Sequence, residues 1–292
     1  MDSQKSAYVD LHIHSTASDG SLSPLQIIRT AKNIGLRAIA ITDHDTVDGS
    51  AQAMASARDS GLEILSGVEI SADYTSGTMH ILGYLIDVDD PRLNETLRKL
   101  QKSRDNRNHE IIERLQRLGI DIRFDEVVEV SGGGQVGRPH IARVLVQKGA
   151  VQTMDEAFAR FLKKSGPAYV PRYRLSPSGS IQTILRAGGV PVLAHPFTLN
   201  AKSDAELEAI IADLKQAGLK GLEVYYPDHS AVRTALYERL ARRHGLLMTG
   251  GTDFHGAAKP GVFIGVGRGE MRIPYRLVEE LKRAQTSIVN GA

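Results

Sequence analysis

Short apolar segments alternate with amphipathic segments along most of the chain. Runs rich in Val, Ile and Leu predict seven strands, at 8–13, 36–42, 62–70, 79–86, 190–195, 219–226 and 246–250. Apolar positions at helical spacing predict helices at 24–34, 50–60, 204–217 and 230–244. Near-continuous apolar strands that alternate with helices are typical of a parallel sheet or barrel, so the pattern predicts an α/β fold.

This alternation stops in the middle of the chain. Residues 91–118 have the pattern of one long charged helix. The glycine-rich segment 131–137 indicates a flexible joint, and two further helices are predicted after it, within 137–149 and 153–166. Strand-like runs resume near residue 190. We therefore predict a barrel formed by residues 1–95 and 176–292, with an inserted helical cap lobe at 96–175.

Charge separates the same two parts of the chain. The net charge is only +2, but residues 96–175 contain 16 Lys and Arg against 9 Asp and Glu, so the lobe carries +7 and the remainder −5. A basic lobe in an acidic frame predicts an anionic partner for the lobe. A charge of +7 is modest, and we do not expect tight binding to duplex DNA.

Composition limits the chemistry further. The chain has no Cys, which excludes disulfides, thiolate metal sites and a cysteine nucleophile. A bound metal would need His, Asp or Glu ligands, which suit Mn, Fe or Zn. There is no apolar run of 18 residues and no pattern of a secretory signal, so we expect a cytoplasmic protein without a membrane partner.

Histidines and carboxylates gather at the ends of the predicted strands. His12 and His14 lie two apart on one strand, so their side chains point the same way. A single His near a strand end is most often a satisfied polar residue, but six of the ten histidines fall at such positions. Because the carboxyl ends of barrel strands converge, these groups would meet, and a buried cluster of this kind needs a counter-charge. Bound divalent cations would supply it.

Five motifs taken together resemble those of a known family. DLHIHSTASDG, TDHD, GVE, AHP and TDFHG resemble, in that order, the motifs of the PHP (polymerase and histidinol phosphatase) family of metal-dependent phosphoesterases. With GRPHIA in the lobe, the chain looks like the stand-alone bacterial enzymes that act on 3′,5′-nucleoside bisphosphates, some of which also trim short RNA from the 5′ end. The resemblance implies a distorted (β/α)7 TIM-like barrel with two or three divalent metals, Mn being favoured over Zn or Fe.

The resemblance also implies three overlapping sets of metal ligands. The first set is His12, His14, Glu69 and Asp253. The second set is Asp19, His44 and His255. The third set is Glu69, His80 and His195, with Glu69 bridging two metals.

The expected reaction is removal of the 3′-phosphate of a nucleoside 3′,5′-bisphosphate by a metal-bridging hydroxide, which leaves the 5′-monophosphate. Three alternatives stay open: a 5′-to-3′ exonuclease on short RNA, a histidinol-phosphate phosphatase, and a metal-stabilised accessory domain without activity. No general acid is assigned. His229 is a candidate contributor, and a solvated loop histidine is an equally good interpretation.

We expect the lobe to hold the second phosphate of the substrate. The candidate contacts are Arg104, Arg107, Asn108, Arg138 and His140. Arginine forks match phosphate geometry, although charged helix positions usually face solvent. For Arg138 and His140 we favour phosphate binding over a solvent-facing role, because they lie at the start of a predicted helix and a helix N-terminus attracts anions.

Overall fold

The computed structural model describes residues 8–57, 61–132 and 136–291, so part of the predicted glycine-rich joint, residues 133–135, lies outside the described residues. The strands are β1 (Tyr8–Ile13), β2 (Ala38–Ile41), β3 (Glu63–Leu65), β4 (Gly67–Ala72), β5 (Met79–Tyr84), β6 (Val190–Leu193), β7 (Gly221–Tyr225), β8 (Leu247–Gly250) and β9 (Ile273–Pro274). The helices are α1 (Pro24–Asn33), α2 (Asp48–Ser56), α3 (Pro91–Arg117), α4 (Phe124–Val130), α5 (Arg138–Gln147), α6 (Met154–Ala157), α7 (Pro177–Arg186), α8 (Asp204–Gln216), α9 (Ala231–Arg243) and α10 (Arg276–Asn290). The mixed α/β class predicted from the sequence is confirmed.

These strands form two sheets, in the orders β3-β2-β1-β9 and β4-β5-β6-β7-β8. Strands β1 to β3 run parallel, as do β6 to β8, but β5 is antiparallel to both of its neighbours and β9 is antiparallel to β1. The prediction of uniformly parallel strands is therefore wrong for β5. Only residues 73–78 separate β4 from β5, and a parallel crossover needs a dozen residues or more, so the chain returns as a hairpin.

The two sheets approach each other at the carboxyl ends of their strands. The predicted strand 62–70 divides at Ser66 into β3 and β4, which belong to different sheets. An isolated parallel bridge joins His44, after β2, to Glu69 on β4, and another joins Ile13 to Phe254, after β8. Backbone hydrogen bonds from His14 N to Phe254 O (2.9 Å) and from Asp253 N to His12 O (2.7 Å) extend the second contact. These bridges bring the polar strand ends together.

Helix starts follow the expected capping chemistry. Ser23 Oγ accepts from Gln26 N at the start of α1, and Ser203 Oγ accepts from Glu206 N at the start of α8. Apolar side chains from both sheets share one interior cluster, which α10 closes through Leu281. The helices thus pack around sheets whose polar strand ends stay free for a site.

The lobe has a hydrophobic core of its own, which runs in sequence from Ile111 to Val170. Helix α3 contributes to two cores, because its first part packs Leu93, Leu97 and Leu100 against the second sheet. The predicted lobe boundary at residue 96 falls inside this helix. Over the described ranges, none of the helices has the length and apolar character to cross a membrane.

Candidate metal centre

Nine His, Asp and Glu side chains converge where the strand ends of the two sheets meet. They lie on β1, β4 and β5 and in the segments that follow β1, β2, β6 and β8. Ring nitrogens and carboxylate oxygens within the group approach to between 2.8 and 3.8 Å. The structure thereby brings together every predicted metal ligand: His12, His14, Asp19, His44, Glu69, His80, His195, Asp253 and His255.

Glu69 on β4 lies at the centre of this group and is fully buried. Its two oxygens lie within 3.4 Å of ring nitrogens from five histidines: Oε2 faces His12 Nε2 (3.4 Å), His14 Nε2 (3.1 Å) and His44 Nδ1 (3.0 Å), and Oε1 faces His80 Nδ1 (2.8 Å) and His195 Nε2 (3.0 Å). A single carboxylate therefore links most of the imidazoles at the site.

The described side chains form three overlapping groups whose ligand atoms lie within 4.8 Å of one another. One group is His12, His14, Glu69 and Asp253; a second is His14, Asp19, His44 and His255; a third is His44, Glu69 and His80. The first equals the predicted set, and the second adds His14 to it. In the third, His44 stands where His195 was expected, although His195 contacts Glu69 directly.

Several imidazoles are oriented by a hydrogen bond at the nitrogen that faces away from the centre. His12 Nδ1 donates to Glu223 Oε1 (2.9 Å), and the Oε2 of the same carboxylate accepts from the His195 backbone N (2.7 Å). His195 Nδ1 donates to Thr198 Oγ1 (3.0 Å), whose hydroxyl donates to Thr78 O (2.9 Å). These bonds leave the Nε2 lone pairs of His12 and His195 directed at the centre, as in metal sites.

Glu223 is a functional residue that the sequence reasoning missed. It lies within the apolar run of β7, where its side chain is completely buried. A carboxylate in the middle of an apolar strand is itself a signal, because an ionised group is buried only beside compensating partners. The metal-ligand candidates at strand ends do not include it, because Glu223 lies within β7.

Asp253 is held by two donors on the side opposite the histidines. Tyr226 Oη donates to its Oδ2 (2.7 Å), and Lys259 Nζ donates to the same oxygen (2.9 Å). Its Oδ1 faces His12 Nε2 (3.3 Å) and His14 Nε2 (3.1 Å). One oxygen is thereby fixed by the protein and the other is directed at the centre.

The electrostatics of the group fit a divalent cation. Burial would raise the pKa of Glu69, but the imidazoles of His44, His80 and His12 lower it well below its usual range. Burial would lower the pKa of His14, but Asp253 and Glu69 raise it to about 10. Glu69 Oε2 and His44 Nδ1 lie 3.0 Å apart but are not aligned for a hydrogen bond, and neither buried atom has another hydrogen-bond partner among the described residues. Ionised carboxylates beside imidazole nitrogens form the donor set that Mn, Fe and Zn accept.

Backbone strain is concentrated at this centre. His195 (φ 24°) and Asp253 (φ 50°) adopt positive φ, which costs a non-glycine residue about 1–3 kcal/mol. Asp45, which follows His44, also has a positive φ of 56°. Such conformations persist only where surrounding contacts impose them, and here they aim two ligand side chains inward.

Five arginines gather beside the centre, where the lobe meets the strand ends: Arg104, Arg107, Arg138, Arg172 and Arg174. Buried Asp45 pairs with two of them, since its Oδ2 accepts from Arg104 and, at 3.0 Å, from Arg172. We call these five residues the arginine cluster. Arg172 and Arg174 were not predicted as contacts. They follow Val170, the last residue of the lobe's core, where the chain returns towards the strand ends.

The arginine cluster carries more positive charge than the protein neutralises. Within the described ranges, no ion pair involves Arg107, Arg138 or Arg174, and Arg174 has no hydrogen-bond partner either. Burial and the neighbouring guanidinium groups of Arg104 and Arg172 lower the pKa of Arg107 to about 8. The cluster is therefore short of negative charge.

Asn108, Arg138 and His140, which were predicted to contact the second phosphate, each make a hydrogen bond within the lobe. Asn108 Oδ1 accepts from Arg107 (2.7 Å), and its Nδ2 donates to Val136 O (2.7 Å). Arg138 donates to Leu162 O (2.9 Å), which leaves the rest of its guanidinium available. His140 Nδ1 accepts from Gly137 N (3.1 Å), and burial lowers the pKa of its ring, an effect that the nearby carboxylate of Asp19 opposes only in part.

His229 lies behind the centre and contacts none of the nine ligand candidates by a hydrogen bond. Its Nδ1 donates to Val224 O (2.8 Å), and its ring packs against Tyr226, Phe197 and Tyr237. A direct catalytic role for His229 stays a prediction, and its contacts favour support of the neighbouring rings.

Sequence comparison gives relatives along nearly the whole chain. The model of the PHP domain matches residues 10–250. A 3′,5′-nucleoside bisphosphate phosphatase of Chromobacterium violaceum is 35% identical over 260 residues, covering 89% of this chain and 91% of its own. A 5′-3′ exoribonuclease of Haemophilus influenzae is 34% identical over 246 residues, covering 84% of this chain and 89% of its own.

Solved structures agree with this relationship. A protein of Bifidobacterium adolescentis, described as a candidate metal-dependent phosphoesterase, superposes with a TM-score of 0.80 at 32% identity, covering 94% of this chain and 95% of its own. The matched family and relatives extend over both sheets and the lobe. This chain belongs to the PHP domain family and is a phosphoric ester hydrolase.

Proposed function

We propose that the nine converging residues hold two or three divalent cations, Mn first and Zn or Fe as alternatives. Glu69 would bridge, with His12, His14 and Asp253 around one ion and Asp19, His44 and His255 around the next. His80 and His195 would complete a third site through Glu69 Oε1. When bound, such ions lower the pKa of water and take up charge on phosphoryl oxygens.

The protein's own groups would prepare this centre. Glu223 fixes His12, and Thr198 fixes His195, so that both Nε2 atoms face inward. Tyr226 and Lys259 hold one oxygen of Asp253 and leave the other free. These bonds exist before substrate arrives, so little reorganisation is needed during the reaction.

The proposed reaction is hydrolysis of the 3′-phosphate of a nucleoside 3′,5′-bisphosphate to give the 5′-monophosphate. The observation that carries it is the arginine cluster, in which Arg174 has no partner among the described residues. Guanidinium groups bind phosphate through paired N–H donors, so this surplus charge fits a second phosphate beside the one being cleaved. The name of the Chromobacterium relative supports the same substrate class.

A second candidate is 5′-to-3′ exonuclease action on short RNA, which the name of the Haemophilus relative supports. The arginine cluster would then hold a 5′-phosphate of the oligonucleotide. A histidinol-phosphate phosphatase needs one phosphate site and leaves the cluster without a ligand. An inactive accessory domain is excluded by the relationship to hydrolases along nearly the whole chain.

The architecture that we propose for this activity is a distorted (β/α)7 barrel made from the two sheets. The bridges from His44 to Glu69 and from Ile13 to Phe254 support it, because they join the sheets on both sides. The shared interior cluster, with Leu11 from one sheet and Leu82 from the other, supports it as well. The region from Ile111 to Val170 would form the cap lobe.

Phosphate release from a substrate panel tests the proposed function. The panel is adenosine 3′,5′-bisphosphate, AMP, histidinol phosphate and 5′-phosphorylated di- to pentanucleotides, each with Mn²⁺. We expect the highest kcat/KM for the bisphosphate and release from its 3′ position. Preference for the oligonucleotides would establish the exonuclease, and activity on histidinol phosphate alone would overturn both.

Arg174→Gln is expected to separate the two phosphate sites. A charge-assisted hydrogen bond contributes about 1.5–3 kcal/mol, so kcat/KM for the bisphosphate should fall by roughly 10- to 150-fold. A simple aryl monoester lacks the second phosphate and should lose far less. The matched control is Arg98→Gln, on the exposed side of α3. Equal losses on both substrates would contradict a second-phosphate site.

Glu223→Gln is expected to weaken metal binding by about 10- to 100-fold, because a group that orients a ligand His is replaced. The amide has one acceptor, whereas both His12 Nδ1–H and the His195 backbone N–H need an acceptor there. One of them loses its bond, or His12 changes tautomer and blocks its Nε2. Titration of the metal-free protein with Mn²⁺ measures the effect; unchanged affinity would contradict it.

A further inference from the structure

A group of aromatic rings flanks the candidate metal centre beside His195. Phe197 lies two residues after this histidine, with its ring centroid 6.3 Å from the imidazole and 5.4 Å from the ring of Tyr226. His229 packs edge-on against Phe197 at 5.6 Å. Although Phe197 has these neighbours, 39% of it is exposed. One part of the ring is thus supported by the protein and another part is open.

The turn that carries Phe197 is held from two sides. Thr198 Oγ1 accepts from His195 Nδ1 and donates to Thr78 O, and Thr78 N donates to Thr198 O at 2.8 Å. A Cβ at Gly77 would lie 2.2 Å from Thr198 O, so only glycine permits this close approach. The same bonds that orient a candidate metal ligand therefore fix the position of the exposed ring.

Exposed apolar side chains are common on protein surfaces and need no ligand by themselves. Phe197 differs because it stands on a fixed turn at the edge of a centre suited to phosphate esters. A nucleotide substrate presents an aromatic base next to its phosphates, and every base has a π-face that stacks on an aromatic side chain without sequence preference. Neither the ligand group nor the arginine cluster provides a contact for this base.

We propose that Phe197 is the stacking surface for the nucleobase of the substrate, with Tyr226 and His229 supporting its ring. This assignment rests on the proposed function for the phosphates and adds the base as a third point of attachment. It makes Phe197 a substrate-binding residue that selects nucleotides over base-free sugar phosphates. It requires no preference among the four bases.

The test compares two substrates that differ only in the base: adenosine 3′,5′-bisphosphate and the abasic tetrahydrofuran 3′,5′-bisphosphate. Stacking on one base changes binding by roughly 5- to 150-fold, so wild type should show a preference of at least about fivefold in kcat/KM. Phe197→Ala should lose the preference through the adenosine substrate alone, mainly in KM, and Phe197→Trp should keep it. Phe263→Leu, at another exposed Phe, is the matched control.

Equal losses on both substrates would overturn the proposal, since they would indicate disturbance of His195 rather than loss of stacking; Mn²⁺ stoichiometry of Phe197→Ala identifies that case. An unchanged preference in Phe197→Ala would also overturn it. If wild type hydrolyses neither bisphosphate, the proposed function fails, and calorimetric titration with AMP and with ribose 5-phosphate still decides the stacking. The proposal then requires that wild type bind AMP more tightly than ribose 5-phosphate. It also requires that Phe197→Ala bind the two ligands with equal affinity.

Discussion

Glu69→Gln should reduce kcat by more than about a hundredfold and abolish binding of at least one metal ion, which exceeds the loss usual for groups that only orient a ligand. Glutamine keeps the shape of the side chain but removes the negative charge that five imidazoles face. Its NH2 group would also point at ring nitrogens whose lone pairs are needed for metal. Metal content by elemental analysis and phosphate release under excess Mn²⁺ measure the two effects.

Glu95→Gln is the matched control for this variant. Glu95 lies on the exposed side of α3 and pairs with Lys99 at the surface, where an ion pair contributes about 0–1 kcal/mol. We expect metal content and kcat of the control to equal those of wild type. Full metal content in Glu69→Gln would contradict the bridging role of Glu69, whatever happened to the rate.

Asp45→Asn should lower the free energy of unfolding by about 3–5 kcal/mol, the usual cost of removing one partner of a buried ion pair. Asp45 is fully buried and is the carboxylate that Arg104 and Arg172 share. Asparagine tolerates the positive φ of this position, so the backbone should be preserved. Urea unfolding at neutral pH measures the loss.

The same substitution should be rescued by anions. Sulfate or phosphate can replace the missing charge in the arginine cluster, so either should stabilise Asp45→Asn more than wild type, when compared with NaCl at equal ionic strength. Asp228→Asn removes a partner of half-exposed Arg268 and is the control for the general effect of sulfate. Equal stabilisation of all three proteins would show that the cluster binds no anion.

The pH dependence of this difference has a definite direction. Burial would raise the pKa of Asp45, but Arg104 and Arg172 lower it well below the usual range. A carboxyl with a lowered pKa contributes stability above its unfolded pKa of about 3.9 and loses that contribution as pH falls towards the folded value. The free energy of unfolding of wild type should therefore exceed that of Asp45→Asn by a constant amount from about pH 5 upwards, and by a smaller amount at lower pH.

The gathering of His, Asp and Glu side chains could be predicted from the sequence because most of them fall at strand ends, and the resemblance to the PHP motifs then implied the ligand sets. His12 lies on β1 and His14 directly follows it, two residues on, and the carboxyl ends of parallel strands converge on one face of a barrel. The direction of β5 was predicted wrongly, since an apolar run gives no sign of strand direction. The available signal was the short connection before it, which is too short for a parallel crossover and therefore indicates an antiparallel hairpin.

Residues that support the site were harder to predict because their roles depend on tertiary contacts. Glu223 reads as one polar residue in an apolar run until β7 is placed beside β6, where it reaches His12 and His195. Arg172 and Arg174 lie some 65 residues beyond the first arginines of the cluster, and their approach depends on the path of the lobe. Local sequence patterns carry no information about contacts between residues that lie so far apart in the chain.

Helix α3 connects the two hydrophobic cores and carries two residues of the arginine cluster. It begins in one hydrophobic core, at Leu93, and enters the other at Ile111, and Arg104 and Arg107 lie between them. At 1.5 Å per residue its 27 residues span roughly 40 Å, and both parts are anchored. The helix therefore holds two guanidinium groups at a fixed distance from the ligand group. Under the proposed function, we expect it to select substrates by the distance between their negative charges.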